Sequence, residues 1–290
     1  MSQVKEVVVG DVRIGGSNPL VLIAGPCVIE GRQAALEAAA ALRELVDQLK
    51  IGWIYKSSYD KANRGESASY RGPMAGDGLD ILAEVREKYR VPVLTDAHDP
   101  VEAETVGKVV DVIQVPAYLS MQTPLALAAG ATGKAVNVKK GQFLHPEAMA
   151  GIIRKIESTG NQRILLTERG TTFGYSDLVA DYRALPRMRR LGYPVVLDPT
   201  HIIRKPGIPS SDPRGGDPEY VPHLSRAGVA SGIDALFIET HLAPEKAKCD
   251  ACSMLRFDHL RELLEQCIEI DRLVKRWDLS VRPRRPDGFV

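Results

Sequence analysis

Charged, amide and thiol side chains recur along the chain at the points where short apolar segments end. They are Cys27, Lys56, Asp96, Gln114, Lys139, Arg169, Asp198 and Glu239, with Lys61, Asn63, Arg64, His98, Lys140, Gln142, His201 and His241 a few residues further on. The cations suit small anions, because guanidinium groups form paired contacts with phosphates and carboxylates and ammonium groups act as point charges. Thiol, imidazole and carboxylate groups suit zinc, iron or manganese. No H-E-x-x-H spacing connects them, so spacing alone does not define a metal site.

The apolar segments themselves predict a sheet that can bring these side chains together. Eight segments rich in β-branched residues lie at 19–25, 51–57, 91–96, 110–116, 134–140, 163–169, 193–200 and 233–240. Helical patterns such as 32–50 and 147–160 separate most of them, which favours a parallel sheet closed into a (β/α)8 TIM barrel. A doubly wound open sheet is the alternative, but no G-x-G-x-x-G turn follows the first segment. In a barrel, all eight strand ends meet at one mouth.

The domain organisation follows from the same pattern. We predict a single domain over 1–290, with an N-terminal β-hairpin (1–17), the barrel (18–276) and a C-terminal tail (277–290). The segment 204–220 is rich in proline and glycine and follows the seventh strand. Because barrel enzymes carry their active-site loops at that end, we interpret it as a lid rather than an inert surface loop.

Composition narrows the class of protein. A net charge of +1 over 290 residues gives little support to binding of nucleic acid or an anionic membrane. No segment reaches the roughly 18 apolar residues of a membrane span, and the first residues do not resemble a signal peptide, so we expect a cytoplasmic protein. Four cysteines are too few for a disulfide framework, and the C-x-x-C of Cys249 and Cys252 is a weak redox or zinc motif. For Cys27, a core thiol, a nucleophile, half of a disulfide and a metal ligand all remain open.

Several motifs in order along the chain carry a family resemblance. They are AGPCVIE, KSSYDKANR, YRGP, TDAHDP, VIQVPAYL, NVKKGQF, ERGTTFGY, DPTH, FIETH and AKCD, and they span roughly residues 18–275. The chain resembles the 3-deoxy-octulosonate 8-phosphate synthases, which share their barrel with one class of 3-deoxy-arabino-heptulosonate 7-phosphate synthases. KANR favours the octulosonate branch, because the heptulosonate branch carries a K-P-R-T type of sequence there.

The resemblance implies a condensing transferase. Phosphoenolpyruvate would react with an aldose, typically arabinose 5-phosphate, and release inorganic phosphate. By analogy, the residues that take a direct part in the reaction would be Lys61, Asn63, Asp96 and His201. Substrate binding falls to Lys56, Lys61, Asn63, Arg64, Gln114, Lys139, Gln142 and Arg169. The resemblance also implies a homotetramer.

The resemblance also bears on Cys27. One class of the family carries asparagine at this position and needs no metal, whereas the other carries cysteine and binds a divalent ion such as zinc, iron or manganese. The matching ligands in this chain are Cys27, His201, Glu239 and Asp250. We therefore expect a metal-dependent enzyme in which the ion acts as a Lewis acid.

Two departures from the family pattern concern the acceptor. K-A-N-R-S-S is replaced by KANRGE, with Gly65 and Glu66, and Met121 stands where the family has an arginine that reaches the acceptor phosphate of a neighbouring subunit. Loss of two such donors at about 1.5–3 kcal/mol each would weaken phosphate binding by roughly two to four powers of ten. Either the acceptor differs from arabinose 5-phosphate or other residues, such as Arg204 and Lys205, compensate.

Two further functions remain as alternatives. A heptulosonate synthase would use erythrose 4-phosphate, and KANR argues against it. A barrel without catalysis would act as a binding subunit, and the retained Lys61, Lys139, Arg169 and metal ligands argue against that.

Overall fold

The computed structural model describes residues 4–64, 67–174, 177–209 and 212–277. Its strands are β1 (Val7–Val9), β2 (Val12–Ile14), β3 (Val21–Gly25), β4 (Gly52–Lys56), β5 (Val93–Asp96), β6 (Val112–Val115), β7 (Ala135–Lys139), β8 (Ile164–Glu168), β9 (Thr171–Thr172), β10 (Leu178–Val179), β11 (Val195–Leu197), β12 (Ala235–His241) and β13 (Leu255–Arg256). Its α-helices are α1 (Arg32–Leu49), α2 (Ala75–Tyr89), α3 (Pro100–Gly107), α4 (Thr123–Ala131), α5 (Met149–Glu157), α6 (Ala184–Arg189), α7 (Pro199–Ile202), α8 (Val221–Ala230) and α9 (Phe257–Arg276).

Parallel pairing closes the sheet into a barrel. The order is β3-β4-β5-β6-β7-β8-β11-β12, and β12 pairs back onto β3 with Ala235 opposite Val21. Helices connect the strands and pack on the outside, so the predicted (β/α)8 barrel is confirmed. The predicted N-terminal hairpin is also confirmed, since β1 and β2 pair antiparallel with Val7 opposite Ile14.

Two apolar cores separate the inside of the barrel from its helical layer. The outer core packs the strand faces against the helices through side chains such as Leu42, Leu82 and Leu264. The inner core combines Val9 and Ile14 of the hairpin with barrel side chains, among them Ile23, Ile54, Leu94, Val112, Leu165, Val196 and Phe237. The hairpin therefore covers the amino-terminal end of the barrel, and polar side chains are left to the opposite end.

The segment 204–220 is described except for positions 210–211 and is attached at several points. Arg204 Nη1 donates to the Gly215 carbonyl at 2.6 Å, and Lys205 Nζ lies 2.7 Å from Asp217 Oδ1. Short 3-10 turns at Pro213–Gly215 and Pro218–Tyr220 complete it. Of the predicted tail, only Trp277 lies within the described residues. None of the described helices is long and apolar enough to cross a membrane.

Gly25 marks a close approach between the first two barrel strands. A Cβ atom built there would lie 2.1 Å from the Lys56 carbonyl oxygen, which is backbone and can move only with its strand. We expect Gly25→Ala to destabilise the protein by about 3 kcal/mol, measured as the free energy of unfolding in urea. Gly151→Ala in α5 is the matched control, since nothing lies within 4 Å of its built Cβ. It should be neutral or stabilise by up to about 1 kcal/mol, and equal losses in both variants would contradict the steric explanation.

Candidate active site

A cavity of about 220 Å³ opens at the carboxyl end of the barrel strands. Ten of the predicted site residues line it: Lys56, Lys61, Asn63, Asp96, Gln114, Lys139, Gln142, Arg169, His201 and Glu239. His98, Tyr118 and Leu119 also contribute to the wall. The barrel therefore brings together side chains that are up to 183 positions apart in the chain. Cys27, Arg64 and Asp250 lie beside this cavity rather than in its lining.

Two buried lysines of the cavity are paired with buried carboxylates. Lys56 Nζ, at the end of β4, contacts Glu239 Oε1 and donates to the Cys27 carbonyl at 3.0 Å. Lys139 Nζ, at the end of β7, lies 2.6 Å from Asp198 Oδ2. Burial lowers the pKa of Lys139, although the Asp198 charge opposes that shift. These pairs leave both ammonium groups positioned at the cavity, each with further donors for a bound anion.

Arg169 differs from those lysines because its guanidinium group is not fully paired. The side chain is buried, and Nη1 has no hydrogen-bond partner among the described residues. Burial lowers the pKa of Arg169, while the nearby Asp198 and Tyr118 work in the opposite direction. Burying a cation whose donor has no partner costs free energy, unless a ligand accepts the missing hydrogen bond. The cavity therefore has the charge and the free donor to receive a small anion.

A row of hydrogen bonds runs across neighbouring strands below the cavity. The Thr167 hydroxyl donates to Asn137 Oδ1 at 2.6 Å, and Asn137 Nδ2 donates to Gln114 Oε1 at 2.9 Å. Gln114 Nε2 donates in turn to Asp96, which also accepts from Ser58. This polar row, Thr167–Asn137–Gln114–Asp96, fixes the Gln114 amide and the Asp96 carboxylate before any substrate binds.

Two buried carboxyl groups of the site keep their charge. Burial alone would favour the neutral form of Asp96, but the Lys56 and Lys61 ammonium groups outweigh it and hold its pKa well below the usual range. At Asp198, His201 and Lys139 likewise outweigh burial and lower the pKa. Asp198 is fixed further, since Oδ1 accepts hydrogen bonds from the Thr200 hydroxyl and the His201 backbone N–H. Its Oδ2 lies 2.7 Å from His201 Nδ1.

The four residues predicted as metal ligands meet at one edge of the cavity. The Cys27 thiol donates to Asp250 Oδ2 at 3.0 Å, and ligand atoms of His201, Glu239 and Asp250 lie within 4.8 Å of one another. Glu239 Oε2 is buried, accepts no hydrogen bond from the described residues and lies 3.7 Å from His201 Nε2. A thiol, an imidazole and two carboxylates with an unused oxygen fit a divalent transition ion.

Sequence reasoning missed a second sulfur at this edge. Cys249 Sγ lies 2.7 Å from Cys27 Sγ and 3.3 Å from Asp250 Oδ2, and it forms a second possible ligand group with these two residues. Both thiols are free. Burial and the hydrogen bond with Cys249 raise the pKa of Cys27 well above its usual value. Cys249 precedes a predicted ligand directly, and that adjacency was the available signal.

Asn137 and Thr167 were missed as well. Asn137 lies two residues before Lys139, so both side chains point to the same face of β7. A polar residue inside an otherwise apolar strand was therefore the signal for a polar interior.

The residues expected to bind the acceptor lie in different environments. Arg64 donates from Nε to the Tyr70 carbonyl at 3.2 Å and also contacts Cys249. Met121 is 44% exposed and lies just before α4. Arg204, proposed as a compensating cation, is held by Gly215 and by Cys252 Sγ at 2.6 Å. Gly65 and Glu66 lie outside the described residues.

Comparisons with known proteins identify the family of this chain. Residues 2–276 match the model of the DAHP synthetase I family. The 2-dehydro-3-deoxyphosphooctonate aldolase of Geobacter sulfurreducens is 48% identical over 271 residues, which cover 93% of this chain and 99% of the relative. The proteins of the same name from a Cyanothece species (51% identical; 92% and 97% covered) and from Fusobacterium nucleatum (47% identical; 95% and 99% covered) are similar too. The chain belongs to the DAHP synthetase I family and is an enzyme of the 2-dehydro-3-deoxyphosphooctonate aldolase type.

Proposed function

We propose that the enzyme condenses phosphoenolpyruvate with arabinose 5-phosphate to give 3-deoxy-octulosonate 8-phosphate and inorganic phosphate. The observation that carries this proposal is the buried, incompletely paired Arg169 beside Lys56 and Lys139 in the cavity. Phosphoenolpyruvate is a small molecule with a carboxylate and a phosphate, which such a cluster can bind. The name shared by the relatives is that of the same activity.

The residues have distinct tasks in this reaction. The new carbon–carbon bond joins C3 of the enolpyruvate to the aldehyde carbon, and the aldehyde oxygen gains a proton. Water adds at C2, and phosphate leaves with the electron pair of the C2–O bond. Lys56, Lys139 and Arg169 hold the anionic groups, and Lys61 and Asn63 face the acceptor. Asp96, which the neutral row behind it holds in place, supplies a negative charge near the carbon that becomes positive.

A divalent ion is part of the proposal. Cys27, His201, Glu239 and Asp250 would hold it, and it would supply Lewis-acid polarisation of an oxygen ligand. The unused Oε2 of Glu239 supports this assignment.

A phosphate-release assay tests the function. Phosphoenolpyruvate is mixed with arabinose 5-phosphate, erythrose 4-phosphate, free arabinose and further free aldoses, with and without chelator. Fast release with arabinose 5-phosphate alone is the expected result. Release only with an unphosphorylated aldose would support the altered acceptor suggested by Met121, and release with erythrose 4-phosphate would identify a heptulosonate synthase. If no acceptor caused phosphate release, the protein would instead be a barrel without catalysis that acts as a binding subunit.

Met121 permits a prediction on acceptor affinity. Its exposed side chain offers no donor to a phosphate, whereas a guanidinium group at this position would. We expect Met121→Arg to lower the KM for arabinose 5-phosphate by roughly tenfold, which corresponds to about 1.4 kcal/mol, without changing the KM for phosphoenolpyruvate. Met121→Gln, which adds no charge, is the matched control. An equal decrease in KM with free arabinose would contradict a phosphate contact.

We also propose that the chain forms a single domain, with residues 18–276 as its catalytic barrel, and that the enzyme assembles as a homotetramer in the cytoplasm. Exposed aromatic side chains around the mouth, Tyr118, Phe143 and Phe173, support an interface between copies. The four free thiols suit a reducing compartment. Sedimentation equilibrium of the purified protein tests the tetramer.

A further inference from the structure

We infer that Glu102 is a positioning residue of the reaction, which fixes the His98 ring so that Nε2 faces the bound substrate. The inference rests on the proposed function. His98 lines the cavity at the end of β5, whereas Glu102 lies in the first turn of α3, outside the cavity lining. The two are joined by a hydrogen bond of 2.8 Å between His98 Nδ1 and Glu102 Oε2.

The environment of Glu102 Oε2 determines the orientation of this ring. The same oxygen accepts the His98 backbone N–H at 2.8 Å and the Tyr59 hydroxyl at 2.9 Å. An ionised carboxylate only accepts, so Nδ1 must carry the hydrogen that it shares with Glu102. The other nitrogen, Nε2, has no partner within the described part of the chain. It is therefore the nitrogen that remains for a ligand.

Tyr59 adds support from below the ring. It is fully buried, and its ring meets that of His98 edge-on with 6.2 Å between the centroids. Burial, together with the hydrogen bond to Glu102, raises the pKa of Tyr59, so its hydroxyl remains a donor to that carboxylate. Aromatic contact and shared carboxylate together leave the imidazole little freedom to rotate.

A metal site at these residues is a weaker explanation. Asp60, His98 and Glu102 do lie within ligand distance of one another. However, Asp60 is engaged in a paired contact with Arg71, at 2.8 Å from Arg71 Nε. Glu102 Oε2 already accepts three hydrogen bonds. A cation would have to displace these partners.

A purely structural role for Glu102 is the main competing explanation. Glu102 belongs to the first turn of α3, where its backbone N–H is capped by Asp99 Oδ1 at 2.9 Å, and acidic residues favour that position. Such a role would affect stability and would not depend on His98. The test therefore needs a measurement that depends on the imidazole.

A double-mutant cycle provides that measurement. Glu102→Gln keeps the size of the side chain but allows its amide to donate to Nδ1, which would favour the other tautomer. We expect Glu102→Gln to lower kcat/KM roughly 10- to 100-fold, by analogy with carboxylates that orient metal-bound imidazoles, but less than about twofold in a His98→Ala background. Glu104→Gln, exposed on the same helix, is the control and should change neither value. Equal losses in both backgrounds would overturn the inference.

A second readout does not depend on activity. Nitrogen NMR of ring-labelled histidine should show His98 with hydrogen on Nδ1 in the wild-type protein and a changed tautomer in Glu102→Gln. An unchanged His98 spectrum would also overturn the inference. If the wild-type enzyme released no phosphate in the aldose assay, the proposed function would fail, whereas an active wild type with an additive cycle would refute only the role of Glu102.

Discussion

Replacing Arg169 by methionine should make the protein more stable and nearly inactive. The guanidinium group is buried, and Nη1 has no partner among the described residues, so the folded enzyme carries the desolvation cost of this charge. An apolar side chain of similar length removes that cost, while Asp198 and Glu168 keep Lys139 and Lys140 as partners. We therefore expect a gain of about 0.5–2 kcal/mol in the free energy of unfolding. Loss of two charge-assisted hydrogen bonds to phosphoenolpyruvate, at about 1.5–3 kcal/mol each, should lower kcat/KM by roughly two to four powers of ten.

Urea unfolding and steady-state kinetics check both halves of this prediction. Arg154→Met is the control, because Arg154 is exposed on α5 and should leave stability and kinetics nearly unchanged. Added phosphoenolpyruvate should stabilise the wild type more than Arg169→Met, since the variant keeps Lys56 and Lys139 but lacks the third cation of the cavity. A variant that loses stability together with activity would show that Arg169 is a structural residue.

Replacing Cys27 by alanine should abolish tight binding of a divalent ion, and with it the activity. Cys27 supplies the only sulfur in the predicted ligand set, and its thiol already lies against Asp250. We expect the affinity for Co²⁺ to fall more than roughly 100-fold, beyond the effect known for residues that only orient ligands. Absorption of the cobalt-loaded protein measures this directly, because a cobalt–thiolate bond gives a charge-transfer band in the near ultraviolet.

Cys249→Ala is the matched variant for this experiment. Its sulfur lies 2.7 Å from that of Cys27 and can reach the same region. If Cys27 is the ligand, Cys249→Ala keeps both the cobalt–thiolate band and most of the activity. If Cys249→Ala lost the band and the activity while Cys27→Ala kept both, Cys249 would be the metal ligand instead. Full activity of metal-stripped wild type in the presence of chelator would refute the metal requirement.

The fold and the cavity could be predicted to the extent that they depend on periodicity. Buried parallel strands appear as continuous apolar segments, so the sequence predicts all eight strands. It also predicts that residues near their carboxyl ends, such as Lys56, Lys139 and Glu239, lie at one mouth. A strand's end, however, does not tell which side chain remains unpaired. That property of Arg169 depends on the distances to Asp198 and Glu168, which only the closed barrel sets.

Contacts between neighbouring strands were beyond sequence reasoning for a related reason. The bond from Asn137 to Gln114 depends on their being opposite each other in the register of β6 and β7, and Cys249 approaches Cys27 from 222 positions away. For Arg64, the sequence motif predicts a position in the cavity. In the structure, however, its Nε donates a hydrogen bond to the Tyr70 carbonyl. Its role in substrate binding remains a prediction.

The polar row below the cavity has a direction. Thr167 donates to Asn137, Asn137 to Gln114 and Gln114 to Asp96, so each hydrogen bond of the row is donated towards the same carboxylate. Dipoles aligned head to tail polarise one another, and their positive ends sum at the last acceptor. Thr167, three strands away, therefore acts on Asp96 without touching it. The negative charge of Asp96 at the cavity is therefore stabilised in part by side chains in the wall of the barrel.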